Sequence, residues 1–182
     1  MIAVADPAAM AEAAAERVVA RISENPGRIA ICLTGGSSPK QLYQLLATDA
    51  WRSKIPWERV HWFIGDERFV PADDPLNNMG VARELFLDQL APAANIHPIP
   101  TSTADPADPD RGAALYEAEL KSFYGADELD PARPLFDLVL MGVGPTAIPP
   151  RCFRAIPHST RPSAGWLACP RRMSSPSCPA SR

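Results

Sequence analysis

Residues 28–47 read RIAICLTGGSSPKQLYQLLA. After Arg28 comes a short apolar run that breaks into Thr34, Gly35, Gly36, Ser37 and Ser38, and Pro39 then opens a segment whose apolar residues recur at helical spacing. The stretch predicts a strand over 28–33, a glycine turn, and a helix. A second cycle follows: residues 60–64, VHWFI, run into Gly65, Asp66, Glu67 and Arg68, then a loop of Pro, Asp and Asn, then a helix over 79–90. Residues 96–99 read as a short third strand. Upstream, Asp6 is a good N-cap, Pro7 suits a first helical turn, and the Ala-rich stretch to Ile22 favours a helix ending between Asn25 and Gly27. Downstream, Asp110 is expected to cap a helix over 111–124, and residues 136–141, FDLVLM, form a further buried-type strand ending at Gly142, Gly144 and Pro145. Alternating strands and helices, with strands that are apolar runs, predict an α/β fold with a mostly parallel sheet and helices on both faces. Sites in such sheets lie beyond the carboxyl ends of the strands.

Composition narrows the classes. The 182 residues are 46% apolar and 21% charged, enough for one folded domain with a core and unlike a disordered chain. The sequence has no apolar run near the roughly 20 residues of a membrane-spanning helix, and its start has neither a basic segment nor an apolar signal core. The expectation is a cytoplasmic protein with no membrane partner. A net charge of −3 gives no reason to expect nucleic acid. Cys152, Cys169 and Cys178 are too far apart for zinc-ligand spacing, and Cys32 reads as a small core residue, so neither metal nor disulfide is expected.

The total hides a break. Residues 1–145 carry 12 basic and 21 acidic residues, whereas residues 146–182 carry six arginines, no acid, seven of the 21 prolines and three of the four cysteines. On charge alone, such a segment also fits an arm that meets nucleic-acid phosphates.

Three loops at strand ends can carry chemistry. In TGGSSP, backbone N–H groups at a helix start and the hydroxyls of Thr34, Ser37 and Ser38 can converge on an anion, with phosphate the natural guest. A tight turn with a hydroxyl cap would use the same residues. The spacing is neither GxGxxG nor GxxxxGK[ST], which argues against a nucleotide site. In GDER, Arg68 can grip a phosphate or carboxylate while an acid orients a hydroxyl, although a solvated charged turn would look the same. Asp73, Asp74, Asn77 and Asn78 suit Asx turns. His61 and His97 read as core-edge or loop residues, so none of these loops supplies a histidine base.

Taken together, LTGGSSPKQLYQLLA, WFIGDERFVPADDPLNNMGVAREL and FDLVLMGVGP, in that order and spacing, resemble the 6-phosphogluconolactonase family over most of residues 1–145. The resemblance implies a Rossmann-like fold shared with glucosamine-6-phosphate deaminases. It implies hydrolysis of 6-phosphoglucono-lactone to 6-phosphogluconate in the pentose phosphate pathway, with a sugar-phosphate lactone as small-molecule partner, and it implies no metal or organic cofactor. By the same resemblance Thr34, Gly35, Gly36 and Ser37 cradle the phosphate, Arg68 helps bind it, and Asp66, Glu67 and Asn78 shape the site. The stretch GDERFVPADDPLNN favours lactonase over deaminase.

In that family GVGP continues as Asp-Gly-His-Thr-Ala-Ser-Leu-Phe-Pro, and the His is the base that activates water. Here TAIPPRCF follows, with Ile148 where the His belongs. Residues 146–161, back-translated with GC-rich codons and read with one G placed in front, give DGHTASLFPGYPALDE. One lost nucleotide between the codons for Pro145 and Thr146, in the gene or in its sequencing, accounts for both the motif and the composition break. The expected organisation is a lactonase-like domain over 1–145, incomplete at its C-terminal end, and a disordered, out-of-frame segment over 146–182. The catalytic base is then absent from the chain as written, which leaves a sugar-phosphate binder with doubtful hydrolysis, and the FDLVLM strand is left with an open edge that favours aggregation.

Overall fold

The computed structural model describes residues 4–102 and 108–142. Helix α1 (Pro7–Glu24) starts as the sequence predicts, with the Asp6 carboxylate accepting from the Ala9 N–H at 2.8 Å. Strand β1 (Ile29–Leu33), buried throughout, leads through the glycine turn to α2 (Ser38–Leu46) and a short α3 (Asp49–Arg52). Strand β2 (Val60–Ile64) matches its predicted bounds. The predicted 79–90 helix is composite: α4 (Asn78–Ala82), a π-helical turn (Arg83–Leu87), and α5 (Asp88–Leu90). Strand β3 (Ile96–His97) stops short of the predicted residue 99, since Pro98 has no N–H to extend a ladder.

Two expectations are corrected. Helix α6 (Pro109–Tyr124) is capped by Asp108 instead of Asp110, its carboxylate accepting from the Arg111 N–H at 3.1 Å. Asp108–Pro109 thereby repeats the Asp6–Pro7 arrangement of α1: an acid at the cap and proline at the first helical position. Strand β4 (Leu138–Val139) is shorter than the predicted 136–141 and is not buried; Val139 is 49% exposed and Met141 54%. Among the described residues β4 pairs only with β1, so its outer side is an edge.

The sheet is parallel, in the order β3-β2-β1-β4. The chain winds outward from β1 to β3 and then returns to the other side of β1, which puts a topological switch between β1 and β4. Side chains alternate between the faces. Ile29, Ile31, Leu33, Val60, Trp62 and Ile64 pack against α1, α2, α4 and the π-helical turn through Val18, Leu42, Leu46, Met79 and Phe86. Ala30 and Phe63 pack on the other face against Tyr116 and Leu120 of α6. Asp137 fastens the switch: its carboxylate accepts from the Ala30 N–H at 2.9 Å and from Asn25 Nδ2 at 3.0 Å, while its own N–H donates to the Ala30 carbonyl.

On the α6 side, Glu119 accepts from His97 Nδ1 at 2.6 Å, and His97 Nε2 and His61 Nδ1 share a hydrogen bond at 2.9 Å. Burial, His97 and the nearby Arg28 hold the His61 imidazole down to about 4 from its ordinary 6.5. As pH falls from 6.5 toward 4 the unfolded chain takes up a proton there that the folded protein refuses, so this residue subtracts stability across that window. His61→Asn, which keeps an N–H near Nδ1, is expected to lose less Tm than the parent between pH 6.5 and 4. Parallel Tm profiles for the two proteins would overturn this.

Candidate functional site

The turn after β1 needs both glycines, for different reasons. A side chain on Gly35 would fall within the Asn78 amide, and Gly36 has φ of 97°, in the left-handed region. The close approach at Gly35 lets Asn78, at the start of α4, pack over the loop. Ser37 stands at the N-cap of α2 but makes no side-chain cap bond, so its hydroxyl is not spent on the helix.

The loop after β2 is held from across the cleft. The Glu67 carboxylate accepts from three backbone N–H groups, those of Arg68 (2.8 Å), Asn78 (2.6 Å) and Met79 (2.9 Å). Asn78 Nδ2 donates to the Asp66 carbonyl at 2.9 Å. Burial pushes the Glu67 carboxyl up, opposed by those three N–H donors. Glu67 therefore acts as a buckle between the GDER turn and the start of α4, setting where Arg68 and Asn78 stand. Asn77 caps α4 through the Gly80 N–H at 2.7 Å, and Asp74 makes an Asx turn to the Leu76 N–H, as the sequence predicts for that loop.

Between these loops lies a cleft of roughly 190 Å³, lined by Thr34, Gly35, Gly36, Ser37, Lys40, Tyr43, Arg68, Pro75, Leu76, Asn78 and Val81. It lies at the carboxyl ends of β1 and β2, beside the switch to β4, and Gly142 comes close to Thr34 and Gly35. Six of the eight sequence-predicted site residues line it: Thr34, Gly35, Gly36, Ser37, Arg68 and Asn78. Asp66 and Glu67 stand behind the wall, the first through its carbonyl and the second through its carboxylate. Ser38 is exposed and does not line the cleft.

Sequence reasoning missed Lys40, whose position three residues after Ser37 puts it on the same side of the first turn of α2. It also missed Tyr43, whose spacing reads as core, and the apolar wall of Pro75 and Leu76. Neither Lys40 nor Arg68 pairs with a carboxylate among the described residues. Two cations, a helix N-terminus and unspent hydroxyls around one small cleft make an anion site with an apolar shoulder. Neither His61 nor His97 lines it, and no group of three potential metal ligands occurs among the described residues. Residues 143–182, including Ile148 and His158, lie outside the described residues.

Residues 5–147 match the family model for glucosamine-6-phosphate isomerases/6-phosphogluconolactonase. The chain belongs to that family. It is 44% identical over 129 residues to the 6-phosphogluconolactonase of Synechocystis sp., spanning 70% of this chain and 50% of that protein. With the 6-phosphogluconolactonase of Mycobacterium leprae it shares 38% over 144 residues, 77% of this chain and 57% of the other. The chain thus spans about half the length of the curated relatives it matches. Among solved structures, the 6-phosphogluconolactonase from Trypanosoma cruzi superposes with a TM-score of 0.71 at 28% identity, covering 84% of this chain and 61% of that one. A monomeric glucosamine-6-phosphate deaminase shares the fold, with a TM-score of 0.62 at 17% identity. The Rossmann-like α/β architecture expected from the sequence is the architecture of this family. No helix among the described residues is long and apolar enough to cross a membrane.

Proposed function

We propose that the cleft binds the phosphate end of 6-phosphoglucono-1,5-lactone, and that the site serves hydrolysis of that lactone to 6-phosphogluconate. In this reading the N–H groups of the 35–37 loop and the hydroxyls of Thr34 and Ser37 receive the phosphate oxygens. Lys40 and Arg68 neutralise its charge from two sides, and Asn78 faces the sugar. Asp66 and Glu67 fix the GDER turn that carries Arg68. The sugar ring lies against Pro75 and Leu76, and the substrate is a free metabolite of the cytoplasm.

The observation that carries the reading is the pair of unpaired cations, among the described residues, on either side of a glycine loop at the switch point, in a chain of this family. Opening the lactone also requires a base near the carbonyl, and no histidine of the described residues is at the cleft. The chain as written therefore binds the sugar phosphate and hydrolyses its lactone poorly. The missing general base belongs to the reading frame proposed for residues 146–182, with Ile148 in its place.

Binding is tested by titrating the chain with 6-phosphogluconate, with gluconate as the ligand lacking phosphate. Lys40→Ala and Arg68→Ala are each expected to weaken 6-phosphogluconate by roughly 10- to 100-fold, as suits loss of a charge-assisted hydrogen bond, and to leave any gluconate binding unchanged. Equal affinity for the two ligands in the parent would overturn the phosphate site. Ammonia release from glucosamine-6-phosphate would move the chain to the deaminase side of its family.

A further inference from the structure

We propose that Tyr43 is a positioning residue of this site, its hydroxyl ending the β1–β4 ladder one rung early so that the Thr34 peptide lines an open crevice. In a parallel ladder the N–H and C=O of one residue point to the same neighbour and alternate along the strand. On β1 the Ala30 and Cys32 carbonyls accept from the N–H groups of Asp137 and Leu140 on the β4 side, while the Leu33 carbonyl accepts from Gly65 on the β2 side. Thr34 comes next on the β4 side. Its N–H and C=O are not taken up by that strand: the Tyr43 hydroxyl donates to the Thr34 carbonyl at 2.7 Å and accepts from its N–H at 3.2 Å. One side chain from α2 thus occupies the rung that would have carried the β1–β4 pairing forward. The β1–β4 pairing ends at Cys32 and Leu140, and the Thr34 peptide held by Tyr43 lines the cleft beside it. Tyr43 is itself 1% exposed and stacks on Phe86 at 5.1 Å, so its hydroxyl has little freedom to leave.

The fold repeats the device one strand away, out of reach of the cleft. The Tyr116 hydroxyl from α6 donates to the Ile64 carbonyl at 3.0 Å and accepts from its N–H at 3.2 Å, taking the rung where the β2–β3 ladder runs out at Pro98. Tyr116 is 7% exposed and does not line the cleft. The two tyrosines make the same two bonds in comparable burial, but only one of them faces the proposed ligand, which makes Tyr116 an internal control for loss of stability.

The inference rests on the proposed sugar-phosphate reading for its ligand and on the ladder geometry for its mechanism, and two readouts separate them. The 182-residue chain and its Tyr43→Phe and Tyr116→Phe variants are titrated with 6-phosphogluconate, and amide exchange is followed at Thr34 and Ile64. Phenylalanine keeps the ring packing, so both variants are expected to fold with similar losses of Tm. Tyr43→Phe is expected to weaken 6-phosphogluconate by roughly 10-fold and to speed exchange at Thr34. Tyr116→Phe should speed exchange at Ile64 and change affinity less than about 2-fold. Equal weakening by the two variants, or parental affinity in Tyr43→Phe, overturns the proposal. If the parent binds no 6-phosphogluconate, the ligand reading falls and Thr34 exchange decides for Tyr43: faster exchange in Tyr43→Phe supports the wedge, and unchanged exchange overturns it.

Discussion

One base inserted between the codons for Pro145 and Thr146 is expected to raise hydrolysis of 6-phosphoglucono-lactone by roughly 100- to 10,000-fold, the range a positioned general base supplies. The residues proposed to bind phosphate are all contributed before residue 79, so the parent chain and the reframed one should bind the phosphate end alike at the cleft loops. In the proposed frame, what the insertion adds is chemistry: the Ile148 codon gives way to one for His, within Asp-Gly-His-Thr-Ala-Ser-Leu-Phe-Pro. The measurement is lactone consumption above the spontaneous rate for both chains, with intact mass recorded for each. A second reframed chain, carrying Asn in place of that restored His, should return the rate to near the parent's, which separates the base from any gain in folding. A parent chain that already turns over lactone as fast as the reframed one would overturn the assignment.

Phe86→Ala should cost about 3 to 5 kcal/mol, the range for removing a fully buried aromatic ring, and lower Tm by roughly 10 °C. Phe86 is 0% exposed and sits in the π-helical turn, where it meets Tyr43 at 5.1 Å, Trp62 edge-on at 5.3 Å and Trp57 at 6.2 Å. Three aromatic partners around one ring leave no side chain able to collapse into the space it vacates. The loss should also reach the site, because Tyr43 would lose the surface that holds its hydroxyl on Thr34. Phe86→Leu, which keeps most of the volume, is expected to cost under about 1.5 kcal/mol and to spare binding. A Tm change below about 2 °C in Phe86→Ala would show that the aromatic cluster repacks and does not hold the loop.

Strand β2, the start of α1 and the strand–glycine turn–helix unit were legible because apolar runs, proline and capping residues act locally. The cap of α6 was misread although its signal was present: of the two acids flanking Pro109, the one before a proline at the first helical position is the cap. Strand β4 was overextended because an apolar run reports side-chain character and not whether a second strand lies alongside. The π-helical turn left no mark in the pattern. At the site, residues defined by loop chemistry were found, whereas Lys40 and Tyr43, which reach the cleft from a helix, were hidden by a periodicity that reads as surface and core. Glu67 was legible as a site residue, but its part in joining two loops depends on backbone N–H groups that only the folded chain brings together.

The fastening of Ala30 by Asp137 spans 107 residues of sequence. At a synthesis rate of about 5 to 20 residues per second, β1 exists for roughly 5 to 20 s before the segment that flanks it on that side has been made. During that interval a strand destined for the interior of the sheet presents a bare row of N–H and C=O groups. The β4 side of β1 is thus an open strand edge while the chain is being made, and it closes only once Asp137 and the residues after it have been synthesised.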